Sequence, residues 1–187
     1  TGFDPLDPTP MLQYGYGKFA NVFTNLEFER LSNATGPTLG KLLKRDLKDP
    51  MSFTEPPKSV AILHCIGSRD INYHEYCSRT CCMYALKEAM MAKDHISGEF
   101  EASIFLMDMR TYGKDFEKYY LRAKDQEGVN FVKARVHTID EVGEAKDLRI
   151  RYADEAGEMQ EEFFDMVVLS VGLQVSEQTI DLARRLD

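Results

Sequence analysis

The chain has 187 residues, 43% of them hydrophobic, and its 31 acidic against 23 basic side chains give a net charge of −8. That length supports a full hydrophobic core, so cysteines are not needed as staples. The acidic balance argues against a nucleic-acid partner, which needs a basic stripe, and no apolar run approaches the ~20 residues that cross a bilayer.

Residues 1–57 are rich in turn signals, among them Asp4-Pro5, Gly15-Tyr16-Gly17, Gly36-Pro37 and Pro56-Pro57, and read as an irregular arm. Within it Thr24-Asn25-Leu26-Glu27 is a capping box that predicts a helix ending near Gly36. A second short helix is expected over Leu39–Leu47. From Lys58 the pattern changes. Ser59–His64 is a continuous apolar run, as in a buried parallel strand. Residues 77–94 read as a helix packed through Met83, Leu86, Met90 and Met91. Ala102–Met107 is a second buried strand, residues 114–126 an amphipathic helix, and Val129–Ala134 a third strand. Leu148–Ala153 and Met159–Phe164 read as polar hairpin strands around Glu155-Ala156-Gly157, with the acidic residues near them on a solvated face. Met166–Gly172 is a further buried strand, and Thr179–Leu186 is helical. This order predicts an α/β, Rossmann-like fold with a β-hairpin.

All four cysteines, Cys65, Cys77, Cys81 and Cys82, fall within one short stretch with spacing Cys-x11-Cys-x3-Cys-Cys. Cys65 follows the first buried strand, where a Rossmann domain opens its phosphate-binding turn. The turn here reads His64-Cys65-Ile66-Gly67-Ser68-Arg69-Asp70, so the G-x-G-x-x-G fingerprint is missing. Cys77, Cys81 and Cys82 lie where the next helix begins, and a helix N-terminus favours thiolate. Four soft sulfurs can hold an iron–sulfur cluster or a zinc ion. Zinc usually takes Cys-x2-Cys knuckles, and none is present. Adjacent Cys81 and Cys82 could form a disulfide only under strain. A 4Fe–4S cluster is preferred on chemistry, although the spacing matches neither common ferredoxin run. Arg69, Arg79 and Arg110 are candidates either to hold an anionic cluster or to form surface ion pairs. His64 and His74 read as structural. Asp108 ends the second strand, where a ribose-binding acid would sit, but without the glycine fingerprint it reads as a turn residue. Lys114 is a candidate flavin neighbour or a solvated helix-end lysine.

The stretch Val60–Asp70 and the segment Tyr76-Cys77-Ser78-Arg79-Thr80-Cys81-Cys82-Met83-Tyr84-Ala85 resemble the A subunit of heterodisulfide reductase, whose motif is C-x-G-S-R-D followed by Y-C-S-R-x-C-C-M-Y-A. The resemblance continues in Met107–Lys114 and in Tyr14-Gly15-Tyr16-Gly17, and covers most of the chain. It implies a flavoprotein with a thioredoxin-reductase-like body, FAD, and a 4Fe–4S cluster on Cys65, Cys77, Cys81 and Cys82. Thr1 and Gly2 then resemble a segment leaving the FAD domain, and Ser170-Val171-Gly172 the return segment, so Thr1, Gly2 and Gly172 are expected on the FAD side. The chain is expected to be an internal, NAD-domain-like piece of a longer cytoplasmic oxidoreductase, without turnover alone. Its divisions are expected at 1–57 (arm), 58–172 (Rossmann-like domain) and 173–187 (start of the return segment).

The implied function is electron transfer between FAD and partner iron–sulfur proteins, such as the B and C subunits of heterodisulfide reductase or hydrogenase-type partners. A homodimer is compatible with it. Two alternatives stand beside it: an NAD(P)-binding domain of a disulfide-reductase-like flavoenzyme, and a zinc-stabilised interaction module.

Overall fold

The computed structural model describes residues 2–186. In chain order its elements are β1 (Phe3–Pro5), a 3-10 turn at Leu12–Tyr14, β2 (Val22–Thr24), α1 (Asn25–Ser32), β3 (Ser59–Ile66), α2 (Cys81–His95), β4 (Glu101–Leu106), α3 (Phe116–Asp125), β5 (Asn130–Lys133), β6 (Val136–Val142), β7 (Asp147–Ala153), β8 (Met159–Phe164), β9 (Met166–Val171), β10 (Leu173–Val175) and α4 (Glu177–Leu186). Five strands form a parallel sheet in the order β2-β9-β3-β4-β5. β6, β7 and β8 form an antiparallel sheet, and β1 pairs antiparallel with β10.

The central strands read as continuous apolar runs because both of their faces are covered. Val60, Ile62, Ile104 and Val168 pack under the helices, together with Phe28 of α1 and Leu86 of α2. Ala61, Leu63, Phe105 and Leu169 face the other way, against Leu148, Ile150, Tyr152 and Phe164 of the antiparallel sheet. Phe105 is the pivot of that second layer. Its ring meets Tyr152 edge-on at 5.2 Å and Phe164 at 5.9 Å, the arrangement aromatic quadrupoles prefer. On the outer face of β7, Arg149 and Arg151 both reach Asp140, as expected of a solvated hairpin.

The capping box forms as read: the Glu27 N–H donates to Thr24 Oγ1 at 3.3 Å, and the Thr24 N–H donates to Glu27 Oε2 at 2.8 Å. The helix expected over Leu39–Leu47 does not form. Leu39 and Gly40 take positive φ, and the chain beyond them is extended. There Lys44 and Asp46 exchange backbone hydrogen bonds with Ser52, Thr54 and Glu55. Asn21 captures the Arg45 N–H at 2.8 Å, and the Arg45 guanidinium lies 4.4 Å over the Phe23 ring. Tertiary contacts thus override a modest helix propensity. Within the stretch expected to be irregular, residues 22–24 become the edge strand β2 and residues 3–5 become β1.

Candidate metal centre

β3 carries its apolar run through Cys65, but Cys65 itself adopts φ +60°, and the register with β9 shifts between Leu63 and Ile66. A left-handed non-glycine residue costs on the order of 1 kcal/mol, and such strain gathers at functional sites. Arg69 (φ +55°) and Arg79 (φ +66°) on the same connection share it. The connection folds back on itself: the Arg69 N–H donates to Tyr76 O at 3.1 Å, the Asp70 N–H to His74 O at 3.0 Å, and the His74 N–H to Gly67 O at 3.2 Å. The helix begins at Cys81, not at residue 77. Cys77 therefore lies on the loop and shares no helix face with Cys81, while Cys81 and Cys82 occupy the first turn of α2.

The four sulfurs nevertheless share one neighbourhood. Burial pushes the Cys65 thiol up to about 11, reinforced by Cys81, Cys82 and Cys77 and opposed by Arg69. Burial also raises Cys81 and Cys82, with Cys77 adding to each. Backbone donors meet the sulfurs: the Arg79 N–H reaches Cys77 Sγ at 3.3 Å, and the Arg110 N–H reaches Cys82 Sγ at 3.4 Å. Cys81 Sγ lies 3.8 Å from Val171 O, and Cys82 Sγ 3.9 Å from His64 Nδ1. His64 is buried, which lowers its pKa to about 4 and keeps the ring neutral.

A lone zinc ion needs its sulfurs about 2.3 Å from one point. Among the described residues, no three His, Cys, Asp or Glu side chains close on such a point. A multi-iron cluster instead takes its ligands at separate corners, and soft thiolates with N–H donors to sulfur are the groups that hold and tune it. Four soft thiolates are donors of the kind that holds either a zinc ion or a cluster.

Asp108 is not a free ribose-binding acid. Its Oδ1 accepts from Arg69 Nη1 at 2.6 Å and from Arg110 Nε at 3.1 Å. It thereby links the Cys65 loop to the segment whose N–H meets Cys82. The two arginines are thus ion-paired at the edge of the site, and Arg79 lies 5.4 Å over Tyr112. Lys114 lies in an exposed bend before α3. Thr1 is outside the described residues, and Gly2 is exposed.

Residues of the two motif segments other than the cysteines stitch the loop down. Ser68 Oγ and Ser78 Oγ are 2.9 Å apart, and Ser78 Oγ accepts the Leu173 N–H at 2.8 Å. The Tyr76 hydroxyl donates to Leu173 O at 3.1 Å, and His74 Nε2 lies 3.3 Å from Gln174 Oε1. Gly172 sits behind them, and a Cβ there would lie 2.1 Å from Ser68 Oγ and 2.8 Å from Ser78 Oγ. Gly172→Ala should therefore push the two serines apart and lower stability by about 1–3 kcal/mol. Denaturant titration checks the loss, and an unchanged midpoint would show that the serines move away freely.

No family model matches the chain. It is 44% identical over 197 aligned residues to the A subunit of H(2):CoB-CoM heterodisulfide,ferredoxin reductase from Methanothermobacter marburgensis, covering 100% of this chain and 28% of that protein. It is 42% identical to the iron-sulfur A subunit of CoB–CoM heterodisulfide reductase from Methanocaldococcus jannaschii, over 99% of this chain and 27% of the relative. Among solved structures, Lactococcus lactis thioredoxin reductase superposes with a TM-score of 0.52 at 18% identity, covering 97% of this chain and 46% of that one. The flavoprotein disulfide reductase RclA of Escherichia coli gives 0.51 at 13% identity, covering 98% of this chain and 31% of that one. Those two likenesses establish the thioredoxin-reductase-like α/β fold. The identity to the curated relatives along the whole chain establishes the family: this chain belongs to the heterodisulfide reductase A-subunit family and spans about 28% of the length of the relatives it matches.

Proposed function

We propose that the chain is an electron-transfer domain that holds one 4Fe–4S cluster on Cys65, Cys77, Cys81 and Cys82. The observation that carries this reading is that Cys65 at a strand end and Cys81 and Cys82 at a helix start are all buried, with Cys77 on the loop between them and backbone N–H groups meeting the sulfurs of Cys77 and Cys82. When bound, such a cluster supplies one-electron transfer. The protein's part is to exclude water by burying three of the four sulfurs, to donate the Arg79 and Arg110 N–H groups to sulfur, and to fix the Cys65 loop through Asp108. Binding must displace thiol protons that burial holds tightly, so loading should improve as pH rises.

In the full-length protein, a cytoplasmic oxidoreductase on this reading, electrons would pass between FAD on another part of the chain and an iron–sulfur partner. Residues 1–57 and 173–187 would connect to the FAD-binding part, with Thr1, Gly2 and Gly172 on its side. No helix among the described residues is long and apolar enough to cross a membrane.

The fold also favours a second reading, an NAD(P)-binding domain. Against it stand the missing glycine turn and the two guanidinium groups on Asp108. Anaerobic purification separates the readings. The cluster reading expects iron and sulfide in equal amounts with a broad visible absorption, and no NADH or NADPH binding by calorimetry. Low-micromolar nucleotide binding without iron would favour the second reading, and bound zinc without sulfide an interaction module.

A further inference from the structure

Glu88 stands apart from everything used so far. It lies on α2, is only 2% exposed, and neither carboxyl oxygen has a hydrogen-bond partner. Cys81, Tyr84 and Glu88 follow one another at helical spacing, so they line one side of α2. Tyr84 donates its hydroxyl to Val171 O at 2.6 Å, beside the point that Cys81 Sγ approaches. The ionisation of Tyr84 is opposed by Cys81 and by Glu88, which places it between the two. Ser170, fully buried, lies next to Tyr84. At the other end, Lys87 Nζ meets Glu29 Oε1 at 2.7 Å, with both side chains more than 40% exposed. Polar groups on α2 thus lie both at its exposed contact with α1 and next to the cysteine site, with Glu88 buried in the apolar core between them.

We propose that Glu88 is a proton-binding site coupled to the electron held at the cysteine centre. The inference rests on the cluster reading given above. Burial, with a contribution from Glu29 and opposition from Lys87, pushes the Glu88 carboxyl up to about 9, so it is neutral at neutral pH. The other elements packed against α2 bring few titratable groups. α3 brings Tyr119 and Tyr120 on its packed side, β3 brings neutral His64 and Cys65, β4 brings Glu101 at its exposed far end, and β9 brings none. Seven residues along a helix separate Glu88 from Cys81 by about 10 Å. At that range one added negative charge changes proton affinity by on the order of tenfold.

The step balances simply. A reductant such as a reduced flavin gives one electron to the centre, and where Glu88 is ionised, one proton from water forms the O–H bond of its carboxyl group. Below the Glu88 pKa the proton is already present and the potential is independent of it. Above that pKa the carboxylate opposes reduction and the potential falls.

The test is a dye-mediated redox titration of the iron-loaded chain from pH 6 to 10.5, read by EPR, with iron content measured on each sample. The wild type should hold a level potential up to about pH 8 and then fall. A tenfold coupling corresponds to about 59 mV in total. Glu88→Gln should stay level throughout, near the wild-type low-pH value. A wild type without the fall, or a Glu88→Gln variant that keeps it, overturns the proposal. Should the variant fail to load, infrared difference spectra of the reduced and oxidised wild type decide, since the carboxylic-acid C=O band must shift on reduction and disappear above the pKa. A chain that takes up no iron defeats the cluster reading instead, and is told apart by the iron assay.

Discussion

Cys65→Ala should leave a folded chain with almost no cluster iron. Cys65 is the proposed ligand furthest in sequence from the other three and the one contributed by β3. Its backbone is already held in a left-handed conformation that presents the sulfur at the strand end. Removing one of four thiolates opens a corner to water and to loss of iron. The fold does not need that sulfur. Two apolar layers, one under Ile62 and Val168 and one under Leu63 and Leu169, pack without it. The loop also keeps its own hydrogen bonds to Leu173 and Gln174. The expected stability loss is therefore only about 1 kcal/mol, for a small buried group. Iron and sulfide assays after anaerobic reconstitution, with a circular-dichroism melt, check both halves. Wild-type iron content with an unchanged EPR signal would remove Cys65 from the ligand set, and collapse of the fold would show that the sulfur has a structural role. The same measurement applies to Cys77, Cys81 and Cys82.

Glu88→Gln should stabilise the chain, and the gain should grow with pH. The folded protein holds the Glu88 proton up to about pH 9, whereas the ordinary value is 4.5. Below that ordinary value the carboxyl is neutral in folded and unfolded chains alike, so Glu and Gln are nearly equal. Between the two values only the unfolded chain ionises, and its ionisation draws the wild type toward unfolding. The penalty grows by about 1.4 kcal/mol per pH unit and reaches about 3 kcal/mol near pH 7. Above the folded pKa it stops growing. Urea denaturation at pH 5 and pH 8 should show a small difference and then a large one. A difference independent of pH would mean that Glu88 is ionised in the folded state, with a partner supplied by rearrangement.

The parallel strands are legible in the sequence because Ser59–His64, Ala102–Met107 and Met166–Gly172 are runs that only two-sided burial explains. β6 is not, because His137 and Thr138 interrupt its apolar positions and the register shifts there. β2 is three residues long and has no period to read. The cysteine set stands out in sequence, but the pattern places the first turn of α2 too early, because the left-handed turn at Arg79 precedes it. Asp108 reads as a turn residue because Arg69, the distant one of its two partners, meets it only once β3 and β4 lie side by side. Glu88 gives no signal, since a glutamate in a helix is ordinarily counted on the wet face, and only the packing of α1 over α2 makes it dry.

β1 and β10 bind each other as neighbouring antiparallel strands, with Phe3 opposite Val175 and Pro5 opposite Leu173. Segments far apart in the sequence are therefore tied together as a single two-ply strap. Leu173 and Gln174 belong to that strap and also anchor Ser78, Tyr76 and His74 of the cysteine loop. Pulling the strap apart would therefore loosen the loop that carries Cys77 along with it.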